Sequence, residues 1–194
     1  MSLFSMIVLA QTPYNIQIQD EIISVEENIS SFEWDNMPES SKFENGYYGW
    51  VQFFETPTQK VQDDFKRRGL ELMQYIPNKA YVFYFPESTS IQYLKDNGVR
   101  AIIPVDGRFK LSSEMKMASY PEYALEGNNI LVKFEYHKHA NSNDVVQELL
   151  RQEIVIKREY KGYNIMDISI PNNCLEALSN MSFVKWIELT RHRV

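Results

Sequence analysis

The residues of this 194-residue chain whose types and spacing could do chemistry are few: three histidines, one cysteine and a run of aromatics. His137-Lys138-His139 places two imidazoles two positions apart, which on a strand puts both on one face, and His192 could add a third ligand for a metal ion. A protein zinc site needs three or four ligands in place. The pair falls where a strand runs into a polar loop, so solvated surface histidines account for it and no metal is assigned. Cys174 falls at the start of a short predicted helix, where a thiolate is stabilised. With three histidines in the chain, a Cys-His nucleophile would need a coincidence of folding, and a small buried hydrophobe is the simpler reading. A lone cysteine also excludes an internal disulfide framework and a Cys-based zinc site. There is no Gly-x-Ser-x-Gly elbow, no phosphate-binding glycine loop and no His-Glu-x-x-His, and the carboxylates are scattered without the spacing of an acid/base pair. The sequence therefore predicts no catalytic residue, no cofactor and no enzyme activity.

Lys79-Ala80-Tyr81-Val82-Phe83-Tyr84-Phe85 tests a second chemistry, base stacking. RNA-recognition strands carry aromatics among small residues at comparable spacing. Here Val82 stands where a small residue belongs, and the chain carries a net charge of −6. Stacking aromatics need a basic surround, so core packing explains this strand better and no nucleic acid is expected. The acidic pI of about 5.2 also disfavours anionic lipid. Hydrophobic residues at 44% and charged residues at 24% exclude global disorder, and 13% aromatics favour strands.

The elements that would position such residues form a repeat. Trp50–Phe54 reads as a strand. Thr56-Pro57-Thr58 opens a helix carrying Val61 and Phe65, which Arg67-Arg68-Gly69 closes. Strands over Leu70–Tyr75 and Ala80–Phe85, a helix over Ser88–Asn97 and a strand over Val99–Ile103 follow. From Ile130 the same order returns: a strand to Tyr136, a helix capped by Asn141-Ser142, strands over Glu153–Glu159 and Tyr163–Ile170, a short helix with Leu175 and Leu178, and a strand over Phe183–Leu189. Phe53 answers Phe134, Pro86 answers Pro171, and the offset is about 80 residues. The expected fold class is α+β: two tandem ferredoxin-like (β-α-β-β-α-β) units, each an antiparallel sheet with helices on one face. The units cover residues 47–105 and 129–190. An arm over 12–46 precedes them, a connector over 106–128 joins them, and 191–194 follow.

The two sheets differ in pattern. In the second, Lys133 and Glu135 alternate with Val132 and Phe134, and Asp167 alternates with Met166 and Ile168. One face is polar enough to stay wet or meet a polar partner. In the first, apolar side chains occupy both faces, so the outer face needs a cover from the arm, the connector, the other unit or another protein. At the amino terminus, Leu3–Ala10 is an apolar run too short to span a bilayer, and Val8 and Ala10 have the spacing of a signal-peptidase site. Residues 1–11 are read as the remnant of a secretion signal or an appended scar. A secreted, periplasmic or cell-surface chain with no membrane segment in its mature form is expected.

Gly49-Trp50-Val51-Gln52-Phe53, Pro57-Thr58, the run from Gly69 to Tyr81 with its Tyr75-Ile76-Pro77-Asn78 centre, Arg100–Pro104, Lys110-Leu111 and Trp186-Ile187-Glu188 resemble the amino-terminal prosegments of secreted subtilisin-like serine proteases, especially those of Bacteroidetes-type bacteria. The resemblance spans about residues 47–190. It departs from the simplest prosegments in having two units where those have one. The resemblance implies a non-catalytic region that templates folding of the catalytic domain and blocks its cleft, with that domain as intramolecular partner. It implies that the sheet face bearing Lys133, Glu135 and Asp167 docks on the domain, and that the tail Thr190-Arg191-His192-Arg193-Val194 enters the cleft. The alternative is a stand-alone tandem module for protein docking or ligand sensing.

Overall fold

The computed structural model describes residues 14–18 and 21–190. In chain order the elements are β1 (Ile16–Ile18), β2 (Glu21–Ile23), β3 (Lys42–Phe43), β4 (Gly46–Phe53), α1 (Gln59–Arg67), β5 (Glu71–Ile76), β6 (Ala80–Pro86), α2 (Ile91–Asp96), β7 (Val99–Ile103), α3 (Ser113–Lys116), β8 (Leu125–Glu126), β9 (Asn129–Tyr136), α4 (Ser142–Arg151), β10 (Val155–Tyr160), β11 (Ile165–Pro171), α5 (Leu175–Ser179) and β12 (Val184–Leu189). The fold is α+β, with antiparallel strand pairs and short helices. Two compact units divide it. One holds the described residues up to 34 together with 49–103; the other holds 35–48 together with those from 104 onward. Residues 35–46, expected as the end of the arm, and 47–48, expected as the start of the first unit, thus pack within the second unit.

In the first unit the strands run in the order β7-β4-β6-β5. The Thr58 hydroxyl caps α1 by accepting from Val61 N, the basic residues Lys66 and Arg67 fill its last turn, and Gly69 stops it at φ +76°. Its apolar residue Phe65 is fully buried against Phe53 and Phe85, with ring centroids 6.2 and 6.0 Å away. Ser90 caps α2, whose Leu94 is buried. Gly49 is required by contact: a Cβ there would stand 2.8 Å from the Phe83 ring and 2.9 Å from the Ile103 carbonyl oxygen. β1 and β2 form a hairpin, and the segment around them packs within this unit.

In the second unit the order is β10-β11-β9-β12, with β8 paired to the start of β9. Asn141 caps α4 by accepting from Asn143 N. Val145 and Leu149 of α4, Met115 of α3 and Leu178 of α5 meet Val132, Phe134, Met166, Ile168 and Ile187 in one apolar core. Strict alternation along β9 follows from one face being in that core and the other open.

The two sheets share a register, in which Phe53 answers Tyr136 and not, as expected from the sequence, Phe134. In the first, Trp50 faces Ile103, Val51 faces Ile102 and Gln52 faces Ala101; then the pairing slips and Phe53 faces Val99. In the second, Lys133 faces Glu188, Phe134 faces Ile187 and Glu135 faces Trp186; then the same slip brings Tyr136 to Val184. The extra residue of the bulge is Arg100 in one and Lys185 in the other. Beyond it, Phe54 N donates to Gly98 O and His137 N to Phe183 O, both at 2.9 Å. The repeat also extends ahead of the long first strand of each sheet: 3-10 turns at Glu39–Ser41 and Glu122–Ala124 follow Pro38 and Pro121, whose φ/ψ values are −66°/153° and −67°/154°.

Candidate docking face of the second sheet

Opposed residues of an antiparallel pair point to the same side. One side of the second sheet therefore gathers Leu131, Lys133 and Glu135 of β9, Ile165, Asp167 and Ser169 of β11, and Trp186 and Glu188 of β12. The helices pack on the other side, so most of these residues are only partly buried. Four of the five charges pair locally. Lys133 Nζ lies 3.5 Å from Glu188 Oε1, and Lys185 Nζ lies 2.5 Å from Glu135 Oε1. Trp186 Nε1 donates to Glu188 Oε2 at 3.2 Å, and Tyr160 Oη donates to Asp167 Oδ2 at 2.6 Å. Asp167 Oδ1 is buried with no hydrogen-bond partner among the described residues. At the sheet's border Lys157 pairs with Glu126 at 2.8 Å, and that hydrogen bond holds the Glu126 carboxyl below its ordinary range. The result is a ladder of two ion pairs with the Asp167 carboxylate left over, and with an indole and two aliphatic side chains set in it, a mixed surface of the kind that meets another polypeptide.

The equivalent face of the first sheet is closed. Trp50, Gln52 and Arg100 stand where Lys133, Glu135 and Lys185 stand, and they are 5%, 0% and 5% exposed. The side chains of Lys133 and Lys185 are 29% and 41% exposed. The cover is the arm. Gln52 Nε2 donates to the Tyr14 carbonyl at 2.8 Å, Arg100 Nη1 donates to the Val25 carbonyl at 3.2 Å, and Asn28 bonds both the N–H and the carbonyl of Ile102. Ile16, Val25 and Ile29 are buried beneath it.

The tail is placed only at its first residue. Thr190 N donates to the Leu131 carbonyl at 3.3 Å, which continues the ladder of β12. Its hydroxyl is buried without a partner among the described residues. Arg191, His192, Arg193 and Val194 lie outside the described residues, as does the apolar run at Leu3–Ala10.

A family model described as a domain of unknown function (DUF8729) matches residues 17–106. That is under half of the chain. The matched stretch takes in most of the β1–β2 hairpin, the rest of the arm and the first sheet through β7. No curated protein and no solved structure matches the chain.

The remaining candidates sit elsewhere in the fold. Tyr81, Phe83 and Phe85 are buried beside Phe53 and Phe65, so they form core and not a stacking platform. The His137 ring is buried and stacked on Tyr48 at 3.9 Å, while His139 Nδ1 is 2.8 Å from the Tyr48 hydroxyl. Both histidines are expected in solvent from their sequence context; the structure instead brings them to Tyr48, whose chain segment precedes them by some ninety residues. Burial first, then the nearby Lys110, Lys185 and His139, pushes His137 down to about 3. Burial likewise lowers Lys110 to about 8, with Nζ donating to the Met181 carbonyl. No group of three or more His, Cys, Asp or Glu among the described residues is placed to hold a metal. Cys174 ends a 3-10 turn over Asn172–Cys174 and is partly exposed. No described helix is long and apolar enough to cross a membrane.

Proposed function

We propose that this chain is the non-catalytic prosegment region of a secreted subtilisin-like serine protease, built of two tandem ferredoxin-like units. The strand orders β7-β4-β6-β5 and β12-β9-β11-β10 support the fold reading, because in each unit the first and third strands of a β-α-β-β-α-β sequence lie at the centre. The observation that carries the functional reading is the partly exposed, ion-paired face of the second sheet, with β12 leading at Thr190 into the basic tail. A face of this kind suits docking on a folded domain. An extended tail suits a protease cleft, where main-chain hydrogen bonds hold it as an added strand. A partner that binds only the folded catalytic domain also favours its folding by mass action.

The test is a titration of the purified chain against the catalytic domain encoded downstream, following hydrolysis of a peptide substrate. Stoichiometric inhibition is expected, and removal of Thr190–Val194 should weaken it while leaving the fold intact. A subtilisin-like domain that the chain neither inhibits nor helps to refold would leave a stand-alone docking module as the reading, and the absence of any such domain would end the prosegment reading.

A further inference from the structure

The second unit holds an open cavity of about 640 Å³ at the end of its sheet where β8 turns into β9 and β11 finishes. That volume is in the range of small-molecule sites. Two loops frame it, and Asn172 N donates to the Asn128 carbonyl at 3.3 Å, which holds them together. No charged side chain lines the cavity, in a chain with 26 acidic and 20 basic residues. Its polar lining is three exposed carboxamides, Asn128, Asn172 and Asn173. The side chains of Asn128 and Asn172 have no hydrogen-bond partner among the described residues. Asn173 Oδ1 accepts from the Cys174 thiol at 3.8 Å, a weak donor. The apolar lining includes Tyr120, packed against the core, and Leu125, 44% exposed.

The first unit closes the corresponding loop. Pro86 ends β6 as Pro171 ends β11. The loop after Pro86 is covered by Trp34, whose Nε1 donates to the Thr89 carbonyl at 2.8 Å and whose ring lies 6.4 Å from that of Phe83. A flat ring with a donor therefore fits against a loop of this kind. Trp34 stands four residues ahead of Pro38, and Met117 stands four ahead of the repeated Pro121. Met117 does not take the place of the indole: it is 69% exposed.

The lining selects the chemistry of the occupant. A carboxamide donates through its nitrogen and accepts through its oxygen, and a hydroxyl does both. A carboxylate or phosphate only accepts and an ammonium only donates, so each would use half of every amide. No cation lines the cavity to offset an anionic ligand, and no carboxylate lines it to offset a cationic one. A pyranose ring has the matching surface, with hydroxyls around its rim and a C–H face suited to an aromatic or aliphatic wall. We propose that this cavity binds a neutral saccharide, whose ring lies against Tyr120 and Leu125 while its hydroxyls exchange hydrogen bonds with the side-chain amides of Asn128, Asn172 and Asn173. The inference is independent of the prosegment reading, since it uses neither the outer sheet face nor the tail.

The experiment titrates the full chain with glucose, galactose, mannose, N-acetylglucosamine and cellobiose, read by calorimetry and by saturation transfer to the sugar protons. Glucuronate and indole serve as comparison probes. At least one neutral sugar should bind with a Kd below about 5 mM, and glucuronate should bind about tenfold more weakly than glucose. Asn128→Ala and Asn172→Ala should each weaken the binding about fivefold, the loss of one modest hydrogen bond, with an unchanged unfolding midpoint. Both asparagines are exposed, so these variants keep the fold and decide the question. No binding by any of the five sugars below that Kd overturns the inference. So does unaltered affinity in both asparagine variants. Binding of indole without binding of any sugar also overturns it, and would mean that the cavity takes an aromatic side chain as the first unit takes Trp34.

Discussion

The two sheets have the same strand order, the same register and the same bulge, yet one outer face is sealed and the other is open. The difference lies in what stands at equivalent positions. Trp50, Gln52 and Arg100 in the first sheet offer an apolar surface with two hydrogen-bonding arms, and the chain supplies an extended segment that uses them. Lys133, Glu135 and Lys185 in the second satisfy one another and their neighbour Glu188, so the face tolerates water. A shared backbone therefore does not decide which surface is interior. A few side chains do, together with the presence of a segment to lay over them.

The strongest way to break this comparison is to remove the cover. A chain lacking residues 1–30 should lose at least about 5 kcal/mol from the first unit, since each of Ile16, Val25 and Ile29 contributes roughly 1.5–3 kcal/mol by burial and buried Arg100 and Gln52 lose carbonyl partners. Amide exchange should rise across β4–β7 and remain slow in β9 and β11. Equal protection of the first sheet with and without the arm would show that it needs no cover.

The next effect separates the units by pH. At the position of His137 the first unit carries Phe54, just past the bulge. Folding keeps His137 neutral down to about pH 3, whereas the unfolded chain takes up a proton near 6.5. The stability is whole above pH 6.5 and falls as pH drops from 6.5 toward 3, by about 4–5 kcal/mol at the lower limit. His137→Phe should flatten urea midpoints measured between pH 6.5 and 5, a window in which ordinary carboxylates titrate little. Parallel curves for the variant and the wild type would contradict the assignment.

The smallest effect sharpens the comparison at the bulge itself. Arg100→Ala removes a buried donor set and should cost about 2–4 kcal/mol. Lys185→Ala removes a partly exposed ion pair and should cost under about 1 kcal/mol. Chemical denaturation of both variants checks this, and similar costs would mean that the two faces are equally dependent on their bulge cation.

Much of this architecture is legible from residue types. The order of helices and strands, the caps at Thr58 and Asn141, the stop at Gly69 and the alternation of Lys133 and Glu135 all have local signatures, because each depends on neighbours within a few positions. The need of the first sheet for a cover is also readable from its two apolar faces. What covers it is not, since that depends on contacts such as Asn28 with Ile102, seventy-four positions apart. The bulges at Arg100 and Lys185 are hidden because a slip in pairing leaves no mark in either strand alone. A fainter signal lies in Pro38-Glu39 and Pro121-Glu122. Each is followed two residues later by a buried small residue, Ser41 or Ala124, and together they extend the repeat into the arm and connector. On the outer face of the second sheet, alternation marks Lys133, Glu135 and Asp167, whereas the bulge at Lys185 becomes visible only against Arg100.

The placement of residues 35–48 has a consequence for the order in which the molecule can be made. This segment leaves the ribosome before the first sheet is complete, yet its packing partners are synthesised from residue 104 onward. Tyr48 must wait for His137, and Phe43 for the core that α4 and β12 complete. During translation the first unit can close around β4–β7 while its own leading segment remains without its mates. The second unit closes last, through contacts of long sequence separation, which are the slow kind. No single cut in the chain between Asp35 and Pro104 yields both units whole.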